Sequence, residues 1–320
     1  NSLSDVPGVR LGHAQTPGGR SGCTVIDFPR GAVAGLDVRG GGAGTRQTDS
    51  LRAYHAVQRI DAICLSGGSA MGLGCAQGVV DGLRALKRGY DVRGHTIPIV
   101  PAAILFDLFV SGGEIPGAAE GRAALDAAAS PGAVSRGSVG AGAGASVGKW
   151  FGSVGAMRGG LGMMSAKLGS ATVAVLALVN AFGDVVDDTG AILAGARDPE
   201  REGVFADTER LLLGGAKPAE QAAAHTNLVV AVTDVVLGRE EVRHFAALAH
   251  NGVTRSIRPA HLTFDGDVAF GAATGLCDEH VHVERLGVAA GLLAAAAVRD
   301  AVLSAQSLPD LPAAGQLRRR

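Results

Sequence analysis

Residues 228–232 read LVVAV, an unbroken apolar and mostly β-branched run with no polar position to turn toward water. Such a run is the signature of a strand buried on both faces. A chain that contains one needs enough apolar mass to surround it. With 320 residues and 47% hydrophobic content this chain has that mass, and the length suits one compact unit of mixed helix and strand. At the mouth of the run, after three alanines and a histidine, stands Thr226. Its hydroxyl is the odd group in the segment.

Lys and Arg total 29 against 30 for Asp and Glu, which leaves no net field to draw nucleic acid or an anionic membrane. The terminal Arg318-Arg319-Arg320 reads as a frayed tail. Cys23, Cys64, Cys75 and Cys277 lie far apart in sequence, without zinc-site pairs or disulfide-scaffold density, so buried thiols in a reducing compartment are expected. The N-terminal residues lack a basic start followed by an apolar core. The longest apolar segments are short or interrupted by Arg299 and Asp300. These features predict a cytoplasmic protein. The 49 glycines point to tight turns and close backbone approach, because Val, Ile and Leu remain plentiful.

Along the chain, GCTVIDF and AVAGLDV read as an early hairpin, followed by a glycine-rich loop, RGGGAGTRQTD, over residues 39–49. DAICLS is a buried strand and AQGVVDGLRALKRG a helix. HTIPIVPAAILFDL starts extended, and GRAALDAAA is helical. Residues 136–162, rich in glycine but carrying Lys149, Trp150 and Phe151, read as an ordered, backbone-rich cavity wall. A strand then ends at Asn180, with DVVDDTGAIL as its expected partner. The charged segment before Thr226 reads as an exposed loop. GREEVRHFAALAHNGVTRSI is an amphipathic helix with Val242, Phe245, Leu248 and Ala249 on one stripe. TFDGDVAFGAAT is the last strand, and its extended geometry predicts Asp265 and Asp267 on one side. A buried helix closes the chain.

Several segments offer chemistry. Gly72, Gly74 and Gly78 form GxGxxxG, one residue too long for a dinucleotide fingerprint, and are read as letting a helix pack closely on the sheet. Ser69 lacks the second glycine of a nucleophile elbow and is read as a helix N-cap. His280 and His282 sit among acids, but no HExxH is present, and an exposed loop explains them equally. No metal, nucleotide or other cofactor is therefore expected. Thr226 stands between two readings. It is either an ordinary β-branched residue entering a strand or a hydroxyl nucleophile. The second requires a base, which a freed α-amine on the same residue would supply if the preceding peptide bond were cut.

Read together, SDVPGVRLGH, LDVRGGGAGTRQTD, LSGGSAMGL, VPAAILFDL, HTNLVVAVTD and GVTRSIRPAHLTFDGDVAFGAATG resemble the DmpA-type family. It includes L-aminopeptidase/D-esterases, β-peptidyl aminopeptidases, a pantetheine hydrolase and the 6-aminohexanoate-oligomer endohydrolase. The similarity runs collinearly from about Ser4 to beyond Thr274. It implies an α+β fold, a four-layer αββα sandwich in a single domain over 1–320, and self-cleavage between His225 and Thr226 into 1–225 and 226–320. By the same resemblance Thr226 is the nucleophile and Asn180 an oxyanion donor. Lys149 stabilises charge or holds the Asn, and Asp265 and Asp267 orient and polarise Thr226.

The implied activity is hydrolysis of small peptides or peptide-like amides by a homo-oligomer, tetrameric in relatives. Met71 stands where the family often has Tyr. His225-Thr226-Asn227 replaces the common Asn-Thr-Thr. The Asp-Gly-Asp pair is similar to the nylon-oligomer hydrolase, whereas β-aminopeptidases carry Ser and Glu there. Two alternatives remain at this level: an aminopeptidase that uses one of the two acids to hold a substrate amine, and an unprocessed binding homologue.

Overall fold

The computed structural model describes residues 1–130, 134–219 and 225–317; the alanines before His225 and the terminal arginines lie outside them. Strand β1 (Arg10–Gln15) pairs antiparallel with β2 (Gly22–Arg39), which pairs on its other side with β3 (Ile60–Ser66), itself parallel to β4 (Ala102–Ile104). A second set comprises β5 (Gly160–Leu168), β6 (Ala171–Asn180), β7 (Thr226–Val235) and β8 (Asp267–Cys277), hydrogen-bonded in that order. The last half of β2 adds to it, Arg39 opposite Asp267. The segment read as a hairpin is therefore one strand. Its register shifts between Asp27 and Ala32, around Pro29, which has no N–H for the ladder, and Gly31 at φ +70°. The shift carries β2 from one sheet layer into the other.

Along β6, Val173, Val175, Ala177 and Val179 face one core while Ala174, Leu176 and Leu178 face another. In β7, Val229 and Ala231 share the first core, and Leu228, Val230 and Val232 the second. The two-residue period of a strand is thus present, but both faces meet apolar partners, so no polar alternation is written in the sequence. One core lies under helices α3 (Arg239–Thr254) and α4 (Val283–Ser304), with Phe245 and Val298. The middle core, with Ile63 and Phe270, lies between the sheets. A third gathers Val25, Cys64, Val79 and Leu125 under α1 (Cys75–Ala85) and α2 (Ala118–Ala129). Three cores between four layers make the αββα sandwich.

Four local expectations change. Ser69 caps no helix: it sits at φ +56° in the turn Ser69–Gly74, and α1 starts at Cys75. Gly78 admits a helix instead of the sheet, since a Cβ there would lie 1.9 Å from the Ala118 carbonyl oxygen. The segment Asp184–Val186 pairs with Ile192–Ala194 and Ile257–Arg258, away from β6. Finally, α4 is long and apolar enough by composition to cross a membrane despite Arg299 and Asp300. In the fold it lies against β5 and β6. There Arg299 donates to the Val186 carbonyl at 2.9 Å, and Asp300 accepts the Met163 N–H at 3.0 Å.

Candidate active site

Thr226 is the first residue of β7 and stands opposite Asn180, the last of β6. The residue before it, His225, forms a bridge with Asp265. Its carbonyl oxygen accepts the Gly266 N–H at 2.7 Å. Gly266 can approach because it has no side chain: a Cβ would meet the Thr226 hydroxyl oxygen at 2.6 Å and the Gly42 carbonyl oxygen at 2.7 Å. The glycine-rich loop supports this contact. The Gly41 and Gly42 N–H groups donate to the carbonyls of Thr263 and Asp265 at 3.0 and 2.9 Å. Backbone thus packs on backbone around the peptide bond between His225 and Thr226. The His225 ring lies between Phe182 and Phe264, with centroids 5.3 and 5.8 Å away, which fixes the residue on the acyl side of that bond.

Lys149 donates to the side-chain oxygen of Asn180 at 2.7 Å and to its main-chain oxygen at 3.1 Å. The Asn180 side-chain oxygen also accepts the Ser146 N–H at 3.1 Å, and its amide nitrogen donates to the Phe106 carbonyl at 2.8 Å. Lys149 therefore holds the Asn, one of the two roles anticipated for it. One amide hydrogen of Asn180 is left for a further acceptor. Burial pushes the Lys149 ammonium down to about 7, against the pull of Asp265 and Asp107. Burial, reinforced by the charge of Asp267, pushes the Asp265 carboxyl up to about 7. An acid and an amine brought to neutrality in one place form a pair able to exchange protons at physiological pH.

Asp267 occupies a different position from the one anticipated. One of its oxygens accepts the main-chain and side-chain N–H groups of Asn227 at 2.6 and 3.0 Å. The other accepts the His261 N–H at 3.3 Å and pairs with the His261 ring at 2.7 Å. All four lone-pair directions are used and none meets Thr226, so Asp267 positions β7 through residue 227. Asp265 accepts the Leu262 N–H at 2.7 Å, closing the turn that presents Gly266. The two acids therefore do not act as one pair along a strand: β8 begins only at Asp267. His250, His261 and Asp267 lie close enough to hold an ion; in this structure the His261 ring pairs with Asp267 and the His250 ring with Asp37. His280 and His282, the pair singled out in the sequence, are exposed.

Beside His225 and the head of β7 lies a small pocket of about 50 Å³ walled by Phe106, Asp107, Phe109, Lys149 and His225. Ser146, Lys149, Gly152, Ser153 and Ala156 form one side, within the stretch read as a cavity wall. Met71, by contrast, is 54% exposed and is not among the residues lining this pocket. Sequence reasoning did not find Gly266, Phe182, Phe264 or Asp107. Asp107 is buried, accepts Ser21 Oγ at 2.6 Å and the Gly68 N–H at 2.7 Å, and ties two loops to the pocket floor. The available signals were the glycine between the two acids and the acid following Phe106.

The buried threonine, its glycine-backed carbonyl and the lysine-held asparagine can be set beside known proteins. Residues 1–312 match the description "Peptidase family S58". The chain belongs to peptidase family S58. An uncharacterized aminopeptidase of Mycobacterium tuberculosis (strain ATCC 25618 / H37Rv) is 39% identical, over 98% of this chain and 96% of that protein. The 6-aminohexanoate-oligomer endohydrolase of Paenarthrobacter ureafaciens is 31% identical, over 94% and 84%. Among solved structures, a β-aminopeptidase of a Burkholderia species superposes with a TM-score of 0.71 at 20% identity, covering 99% of this chain and 92% of that one. The L-aminopeptidase D-Ala-esterase/amidase of Ochrobactrum anthropi gives 0.71 at 21%, covering 100% and 93%. That protein is described as a variant among the Ntn hydrolase fold. This S58 member is accordingly an amide-bond hydrolase with that fold.

Proposed function

We propose that the protein is a precursor that cleaves itself between His225 and Thr226 and then hydrolyses small peptides or peptide-like amides with Thr226 as N-terminal nucleophile. The observation that carries this reading is the Gly266 N–H on the His225 carbonyl oxygen, with the Thr226 hydroxyl packed against the same glycine. A donor already in place stabilises the oxyanion that forms when the hydroxyl attacks.

In the first step the Thr226 Oγ–C bond to the His225 carbonyl forms and the C–N bond between the two residues breaks. The hydroxyl proton passes through Asp265 or Lys149 to the departing nitrogen. Both groups titrate near 7 and so suit general acid and base work there. Water then hydrolyses the His225 ester and leaves Thr226 with a free α-amine. In turnover that amine serves as the base for its own hydroxyl, and an acyl-enzyme forms and is hydrolysed. The remaining amide hydrogen of Asn180 is available to the substrate oxyanion.

The intact mass of the purified protein in denaturant tests the reading, with Thr226→Ala alongside. Two wild-type fragments ending and starting at His225 and Thr226, absent from the variant, are expected. An unbroken wild-type chain that still hydrolyses amides would overturn it.

A further inference from the structure

The pocket beside Lys149 and His225 does not end there. Phe109, Val110, Ser153 and Leu311 also wall a larger cavity of about 810 Å³, and that cavity shares Arg20 and Leu308 with a third of about 300 Å³. The three form a trough that changes character along its length. Near Lys149 and His225 the shared walls are Phe109, Val110 and Leu311, with Ser153 as the one polar member. The middle carries Arg197 and one acid, Asp310. The far end has Arg20, Arg136 and Arg158 and no acidic lining residue.

Arg158 is the telling member. It is 2% exposed. Its Nη2 donates to the Ala143 carbonyl at 2.6 Å and its Nε to the Gln306 carbonyl at 3.1 Å, while its Nη1 is buried with no hydrogen-bond partner. No carboxylate pairs with it among the described residues. A buried guanidinium hydrogen-bonded only to neutral carbonyls, with the charge of Asp107 as its nearest compensation, carries a desolvation cost that a bound anion would offset further. It stays cationic, since burial lowers it only to about 10. Arg136 is shared with Asp300 at 3.4 Å. Arg20 is exposed and makes no hydrogen bond among the described residues, so its charge is free to meet a ligand.

We propose that Arg158 and Arg20 form an anion subsite at the outer end of this trough, which holds the terminal carboxylate of a linear amide substrate while its apolar stem lies along Phe109, Val110 and Leu311. The assignment to substrate rests on the reading under Proposed function. The subsite itself rests on the trough and on Arg158.

The test is calorimetric titration of the full Thr226→Ala chain with suberanilic acid, a linear anilide ending in a carboxylate, and with its terminal carboxamide. The acid is expected to bind about tenfold more tightly, the worth of one charge-assisted hydrogen bond. Arg20→Ala and Arg158→Gln should each remove that preference and leave carboxamide binding within about twofold. Inorganic phosphate should compete with the acid and not with the carboxamide. Equal binding of acid and carboxamide, or a preference that survives both substitutions, overturns the proposal. Phosphate binding that depends on the arginines without any preference for the acid overturns its link to substrate. Arg20→Ala keeps the test decisive if Arg158→Gln fails to fold. Because the readout is binding to an uncut chain, it stands apart from whether Thr226 cleaves anything.

Discussion

Gly266 is small because the Thr226 hydroxyl and the Gly42 carbonyl oxygen occupy the places a side chain would need. Its φ lies outside the left-handed region that glycine alone favours, so the requirement is space. Gly266→Ala should push the hydroxyl off the carbonyl and slow the proposed self-cleavage at least about tenfold, for a loss of about 1.4 kcal/mol of transition-state stabilisation. A mass-spectrometric time course on freshly synthesised chain would show it. The pH dependence follows from Asp265 and Lys149. The proposed self-cleavage should rise with pH through about 7, as these groups lose their protons, and Asp265→Asn should remove part of that rise. Stability moves the opposite way for the acid. Its folded value lies above the ordinary 3.8, so the native state binds the extra proton between about pH 4 and 7. Its contribution therefore falls as pH climbs through that window. Urea titrations of Thr226→Ala with and without Asp265→Asn should diverge there. At this scale Thr226, Asn180, Lys149 and Asp265 could be named as candidates from the sequence because their segments occur in the collinear order of the family they resemble. Gly266, Phe182 and Phe264 could not, since they act through close approach and ring packing, which no spacing rule encodes.

Strands written as continuous apolar runs were found at the right places because a strand covered on both faces has no other way to be written. The early hairpin was misread for a related reason. Pro29 and Gly31 are turn signals, and the sequence does not distinguish a reversal from a bulge that hands one strand to a second sheet. The misplaced partner of β6 has the same origin: local order suggests the next segment, whereas the ladder is closed by β7, more than forty residues on. Between helices the glycines are more informative. A Cβ on Gly78 or Gly121 would sit 1.9 Å from a carbonyl oxygen of the facing helix. Gly121→Ala should therefore force α1 and α2 apart and destabilise the fold by about 2–3 kcal/mol, in the range of core overpacking. Urea unfolding in the Thr226→Ala background would measure it.

The proposed cut falls where the molecule can least afford to come apart. The piece 226–320 contributes β7 and β8, which lie between β6 and β2 in the sheet, and the two helices α3 and α4 that cover it. Leu228, Val230, Val232 and Phe270 from this piece share the middle core with Ile63, Leu176 and Leu178 from the other. Separation would expose that core and the one under α3 and α4, and leave β6 and β2 without their partners. The hydrophobic loss alone, at about 25 cal/mol per Å², far exceeds what the ends gain in freedom. The break itself removes only one covalent link at the head of a strand whose ladder stays paired on both sides. The two fragments should therefore co-elute on size-exclusion chromatography in native buffer, at the position of the uncut Thr226→Ala chain, and separate only in strong denaturant. A small fragment that elutes alone from native, processed protein would mean that β7 is not held in the sheet once its N-terminus is free, and the oriented hydroxyl on which the proposed chemistry depends would be lost with it.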